Sequence, residues 1–305
     1  MIIILYYLLH QQPTTNNQQP TTTILQLSPD PTFHFELLRV LSHARYSGSD
    51  IAEVLVAASQ IVPGDFRSWY RAFNNLAFRV QFQIPIPPPN HPLSQSQKIT
   101  IRDLNFHASN YFRAAGFFLH GNPNDKRIAE LWERQTATFD AAIALLPVPG
   151  KRVTIPSKHG FEIPAIFYAA SPIDEDGKGK GKGKGKPTII LGNGYDGSQE
   201  ELLHVSGLAA LERGFNVLTY EGPGQPSVRR SQNLGFIPDW EKVVSPCIDY
   251  LYTLPEVDKE RIALFGYSMG GYLAAKASLL IFKNPSPPGL TMGRKKNSTK
   301  LDALS

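Results

Sequence analysis

Arg261-Ile262-Ala263-Leu264-Phe265-Gly266-Tyr267-Ser268-Met269-Gly270-Gly271 is the stretch whose reading decides the fold. The apolar residues Ile262 to Phe265 read as a buried strand, and the small-residue run Gly271-Tyr272-Leu273-Ala274-Ala275 reads as the start of a helix. Between them Gly266-Tyr267-Ser268-Met269-Gly270 forms a strand-to-helix turn so tight that only glycine fits on either side of the serine. Such a serine is held under strain at the carboxyl edge of a sheet, beside a helix N-terminus. There the backbone N–H of Met269 can help to hold an oxyanion. Ser268 is the candidate nucleophile and Met269 a candidate oxyanion donor; the competing reading is a glycine-rich turn that merely packs.

Upstream, the same texture repeats. A strand over Thr188–Leu191 leads to a helix near Gln199–Arg213, and a strand over Asn216–Tyr220 to a helix near Pro238–Thr253. Alternating strands and helices of these lengths predict a parallel sheet with helical crossovers. Gly192-Asn193-Gly194-Tyr195-Asp196-Gly197 follows the first of these strands, where the second oxyanion donor of such a site would lie. Spacing leaves Tyr195 and Asp196 both open for that role, and an ordinary strand-to-helix turn is the alternative. Tyr220-Glu221-Gly222-Pro223-Gly224-Gln225 follows the next strand and reads as a tight loop at the rim of the site. It is neither G-x-G-x-x-G nor a P-loop, so a nucleotide role is not expected.

The first half of the chain has a different character. Residues 1–32 are polar and proline-rich, with only a short apolar start, Met1 to Leu9, and read as a poorly defined N-terminus. That start is too short to cross a bilayer and lacks the basic flank of a secretory signal. Helical periodicity covers Phe33–Leu41, Asp50–Leu55, Asp65–Val80, Ile99–His120 and Asp125–Leu146, interrupted by a proline-rich insertion over 84–97. After Pro147-Val148-Pro149-Gly150 a hairpin is expected, Lys151–Pro156 with Phe161–Ala169. The alternating glycines and lysines over 177–186 then read as a solvated loop.

That loop also accounts for the charge. The net charge is +5, but with Lys178, Lys180, Lys182, Lys184 and Lys186 set aside the basic and acidic residues balance. A single basic insert is no charged face, so no nucleic-acid partner is expected. Cys247 is the lone cysteine, which excludes an intrachain disulfide and a thiolate cluster and fits a reducing, cytoplasmic setting. No metal-ligand spacing such as H-E-x-x-H occurs, and neither metal nor cofactor is expected.

Gly192–Gly197, Tyr220–Gln225, Gly235-Phe236-Ile237-Pro238-Asp239-Trp240-Glu241 and Gly266–Gly271 together resemble one branch of the α/β-hydrolases. It is the branch that contains dihydroxypseudooxynicotine hydrolase and the fungal hydrolases of polyketide gene clusters. Phe33–Leu41 and Gly64-Asp65-Phe66-Arg67-Ser68-Trp69-Tyr70 are similar to its N-terminal helical domain, so the resemblance covers roughly 33–280. It implies an α/β class fold: a helical cap over 33–148 and an α/β-hydrolase core over 149–280, mostly a parallel sheet and incomplete at the C-terminus, with an irregular tail over 281–305. It further implies a small-molecule substrate cut at a ketonic carbon–carbon, ester or lactam bond; no membrane partner is expected, and a homodimer is the assembly left open.

One requirement of that family is unmet. Its triad runs serine, acid, histidine along the chain. The 37 residues after Ser268 hold no histidine and only Asp302 as an acid, and all eight histidines precede the serine. A truncated gene product, inactive as it stands, is the expectation from this pattern; the alternative function is a non-catalytic fragment that binds a ligand or partner.

Overall fold

Aspartates begin four of the first five helices. The computed structural model describes residues 25–86, 92–170 and 185–283, together with Leu5–Tyr6. Asp30 caps α1 (Pro31–Ser42) by accepting the N–H groups of Thr32 and Phe33, and Asp50 caps α2 (Ile51–Ala58) through Glu53. Asp65 caps α3 (Phe66–Phe82). Next comes α4 (Gln95–Gly116), and then α5 (Lys126–Ile143), capped by Asp125. Each carboxylate satisfies backbone donors that have no partner inside the helix. The start of α4 departs from expectation: the proline pattern carries the insertion to residue 97, yet the helix begins at Gln95. Ser94 and Gln97 form a reciprocal capping box, and this local pair outweighs the prolines upstream. Residues 87–91 of that insertion lie outside the described residues.

These helices share one core. Phe33 and Leu37 of α1, Trp69 and Phe73 of α3 and Tyr111 and Phe112 of α4 are fully buried in it. Trp69 packs on Phe33 with ring centroids 5.0 Å apart, and its indole N–H donates to the Ala114 carbonyl at 2.8 Å. A buried tryptophan whose polar atom is satisfied stabilises without a desolvation cost left over.

The remainder is a sheet with helices on both faces. Its strands are β1 (Leu5–Tyr6), β2 (Lys151–Pro156), β3 (Glu162–Tyr168), β4 (Lys186–Gly192), β5 (Asn216–Tyr220) and β6 (Val257–Tyr267), in the order β1-β6-β4-β5-β3-β2. The pairs β1–β6, β6–β4 and β4–β5 are parallel, while β3 runs antiparallel to β5 and forms the expected hairpin with β2. Alternate residues face opposite sides, as strand geometry requires. Ile190, Leu218 and Leu264 pack towards α9 (Glu241–Tyr252) and α10 (Met269–Lys283). Their neighbours Leu191, Val217 and Phe265 pack with Phe106 of α4, Phe139 of α5, and Leu202 and Leu203. Helical residues from the first half of the chain therefore complete one of the two cores.

Three further elements differ from the sequence reading. The segment after β4 is broken: α6 (Gln199–Leu202), a π-helical turn over Leu203–Gly207, then α7 (Leu208–Glu212). A short helix, α8 (Pro226–Gln232), follows the Tyr220–Gln225 loop, with proline at its first turn. Strand β6 begins at Val257, four residues before the expected start, because Lys186 pairs with Val257 across a register shift in β4. Lys186, expected in the loop, is therefore in the strand; residues 177–184 of the glycine–lysine run lie outside the described residues, as do residues 284–305.

Candidate active site

Chain order reverses around β4. Strand β5 lies on one side of β4 and β6 on the other, so the loops leaving β4 and β6 diverge at the carboxyl edge. Open α/β sheets bind their ligands at such switch points. Ser268 sits there, the single residue between β6 and α10. Its φ is +52°, a left-handed conformation that a side-chain-bearing residue adopts at a cost of about 1–3 kcal/mol. The flanking glycines are steric requirements: a Cβ on Gly266 would collide with the Gly270 carbonyl, and one on Gly270 with the Asn193 carbonyl.

The loop after β4 is pressed against the serine. A Cβ on Gly194 would lie 3.0 Å from Ser268 Cβ and 3.4 Å from its Oγ. Asn193 is buried, and its Oδ1 accepts the Gly194 N–H at 3.1 Å. The side chains of Tyr195 and Asp196 are turned to other partners. The exposed Tyr195 ring stacks on Phe236 at 5.7 Å, and the Asp196 carboxylate meets Arg39 Nη1 at 3.4 Å. Only the main-chain N–H groups of these two residues are thus candidates for an oxyanion donor.

Two sets of residues to which the sequence assigned no role surround the loop. Gln225 is fully buried and ties the β5 loop to the β4 loop: its Nε2 donates to the carbonyls of Asn193 at 2.7 Å and Gly194 at 3.2 Å. Its position behind two glycines and before the first proline of α8 was the available cue. In the second set, Arg39 of α1 makes a two-pronged contact with Glu201 of α6, Nε to Oε1 at 2.5 Å and Nη2 to Oε2 at 2.7 Å. Arg113 of α4 adds a contact at 3.1 Å and His43 one at 3.4 Å. Burial alone would raise the Glu201 carboxyl, but Arg113 and Arg39 hold it well below the usual range. Arg113 itself is lowered by burial and by repulsion from Arg39. Beside this cluster is a cavity of about 10 Å³ lined by Ser109, Arg113, Gln135, Ser198 and His204 among others. That is room for one water.

Glu221, just past β5, is also fully buried. It accepts the N–H groups of Gln199 at 2.7 Å and Ser227 at 2.6 Å, holding the starts of α6 and α8 together. Burial, with added repulsion from Glu200, raises its carboxyl to about 7. A larger cavity of about 290 Å³ opens among Phe161, Pro223, Leu234, Ile237, Pro238 and their neighbours.

The described histidines have partners elsewhere. His204 is buried and bonded to the Tyr46 carbonyl at 2.8 Å; burial lowers it to about 3. His43 contacts Asn110, His107 contacts Glu53, and His120 contacts the Phe117 carbonyl. None of the described histidines forms a hydrogen bond with Ser268. Among the described residues no His/Cys/Asp/Glu cluster could hold a metal, and no helix is long and apolar enough to cross a membrane.

No family model matches the chain. The hydrolase acrC of Aspergillus aculeatus is 36% identical over 258 residues, which cover 82% of this chain and 59% of the relative. Hydrolase ORFZ of Pyricularia oryzae is 37% identical over 255 residues, covering 81% and 58%. The 20-hydroxy-prefusarin hydrolase FUS2 of Gibberella moniliformis is 34% identical over 251 residues, covering 81% and 57%. The chain thus spans under two thirds of the length of these relatives. In fold it matches the crystal structure of 2,6-dihydroxy-pseudo-oxynicotine hydrolase with a TM-score of 0.59 at 20% identity, over 79% of this chain and 61% of that one. The strand order, the serine turn and the solved structure agree on an α/β-hydrolase fold, and in sequence the chain resembles this branch of fungal hydrolases.

Proposed function

We propose that the site is that of a serine hydrolase with Ser268 as nucleophile. One observation carries the reading: a serine strained at φ +52° between β6 and α10, at the sheet's switch point, with Gly194 packed against it. In this reading Ser268 Oγ attacks a substrate carbonyl carbon and passes its proton to a base. The N–H of Met269, with that of Tyr195 or Asp196, takes the charge that develops on the carbonyl oxygen. Collapse of the tetrahedral adduct breaks a ketonic carbon–carbon, ester or lactam bond, and water then frees the acyl group from the serine. The substrate is a small secondary-metabolite-like ketone or acyl compound; the activity of the 20-hydroxy-prefusarin relative supports that class. A cytoplasmic location fits the single cysteine.

A specific observation favours a second reading: none of the described histidines forms a hydrogen bond with Ser268. A chain that binds a ligand or partner without turning it over is the alternative. Turnover of p-nitrophenyl acetate by the purified chain, abolished by Ser268→Ala, supports hydrolysis. A cooperatively folded chain without turnover, or turnover that survives Ser268→Ala, refutes it.

A further inference from the structure

The Tyr220–Gln225 loop, noted in the sequence for its glycines, plays no part in the serine chemistry itself. Its last residue nevertheless holds the neighbouring loop in a particular orientation. Gln225 is fully buried, its Oε1 accepts the Gly222 N–H at 2.8 Å, and its Nε2 donates to two successive carbonyls, those of Asn193 and Gly194. One side-chain amide therefore fixes two adjacent peptide planes of the loop that touches Ser268.

The direction follows from peptide geometry. In a trans peptide the C=O and the following N–H point opposite ways, and no cis peptide occurs among the described residues. The Gly194 carbonyl is drawn towards Gln225, which follows β5. Strand β4 lies between β5 and β6, and Ser268 follows β6. A carbonyl pulled to the β5 side turns the Tyr195 N–H to the β6 side, where the serine stands. The Asn193 carbonyl also accepts from Gln225 but lies against Gly270, and the Gly194 N–H across that peptide is already engaged by Asn193 Oδ1. The Tyr195 N–H donates to no acceptor among the described residues.

We propose that Gln225 is a positioning residue for the oxyanion site: its amide, bonded to the Asn193 and Gly194 carbonyls, aims the Tyr195 N–H at the Ser268 side and so selects Tyr195 over Asp196 as the second donor. The proposal rests on the serine-hydrolase reading and adds to it a residue that never meets substrate. Gln225 bonds the carbonyls of Asn193 and Gly194 but not that of Tyr195, so the 194–195 peptide is under its control and the 195–196 peptide, which carries the Asp196 N–H, is not.

Two variants test this on the full chain. Gln225→Glu keeps the shape and the acceptor for Gly222 but sets carboxylate oxygens against two carbonyls. Gln225→Met removes donor and acceptor together. Crystal structures of both should show the 194–195 peptide turned from its present plane. The kcat for p-nitrophenyl acetate should fall about 100-fold, the scale of one lost oxyanion donor, with KM within twofold of the parent. With Gln225→Glu the deficit relative to the parent should shrink at low pH, where the introduced carboxyl regains an O–H donor. A merely structural role would instead lower the folded fraction and leave no such pH dependence. An unmoved peptide, or an unmoved kcat, in either folded variant overturns the proposal. Should the parent chain turn over no ester, the serine-hydrolase reading fails by itself, and the peptide plane alone decides the role of Gln225.

Discussion

Glu201 is a carboxylate removed from water and surrounded by three cationic or potentially cationic groups, so Glu201→Gln is an informative substitution. It keeps the shape but takes away the charge that Arg39 meets at 2.5 and 2.7 Å and Arg113 at 3.1 Å. Two guanidiniums would then face each other in a buried space, each already repelling the other. Removing one partner of a buried pair costs about 3–5 kcal/mol, mostly as the penalty of the charge left behind. Arg39 keeps Glu36 and Asp196, each at 3.4 Å, while Arg113 is left without its carboxylate, so the lower half of that range is expected, still a large share of the roughly 5–15 kcal/mol that stabilises a domain. Urea denaturation followed by far-UV circular dichroism measures the loss as a lower midpoint. The effect should persist in 1 M salt, which screens exposed pairs but not this one. Because Arg39 and Arg113 come from α1 and α4 and Glu201 from α6, tryptophan fluorescence of the helical segment should now melt before the sheet. A loss under about 1 kcal/mol, the worth of a surface pair, or one that vanishes with salt, refutes the reasoning.

Other predictions concern pH, the site and the core. Glu221, raised from 4.5 to about 7 in the fold, makes the folded state bind the extra proton, so its contribution to stability is lost as pH rises through that interval. The loss is about 3 kcal/mol between pH 5 and 8. Glu221→Gln should flatten that dependence, measured as the urea midpoint at the two pH values. His204, lowered from 6.5 to about 3, acts in the opposite sense: stability is lost as pH falls below 6.5, and its ring resonances should stay in the neutral form down to pH 4 in the folded chain. Gly194→Ala puts a methyl group 3.0 Å from Ser268 Cβ; kcat for an activated ester should fall at least tenfold while the thermal midpoint moves only a few degrees. Trp69→Ala empties the centre of the helical core and leaves the Ala114 carbonyl with the Phe117 N–H alone; a loss of about 3–5 kcal/mol is expected by chemical denaturation.

Short-range signals carried much of this architecture. Capping aspartates, the hairpin around Lys158–Gly160 and the serine turn each depend on residues a few positions apart, and periodicity or a motif reports them. The Arg39–Glu201 pair spans 162 positions and the Gln225–Asn193 bond 32, so neither had a local signature. The extension of β6 through the charged Asp258-Lys259-Glu260-Arg261 was equally hidden, because pairing with β4 rather than composition recruits those residues. At the site, sequence located Ser268 and the Gly192–Gly197 loop but left open which backbone N–H faces the serine. That depends on which way a peptide plane is turned, and a side chain from another strand's loop turns it.

The π-turn at Leu203–Gly207 has a consequence for how this helix tolerates change in length. A π-turn is an α-helix carrying one surplus residue, and it persists where neighbours hold both ends. Here Glu200 and Glu201 are anchored on one side by Arg152, Arg39 and Arg113, and Ala210 is fixed beneath the sheet on the other. Deleting Val205, the exposed residue of the turn, should let the segment close into regular α-helix without moving either anchor. A deletion one turn later, in α7, has no slack to absorb and would rotate the residues beyond it by about 100°. The segment therefore behaves as an expansion joint, the one place along this helix where a single-codon loss should be silent.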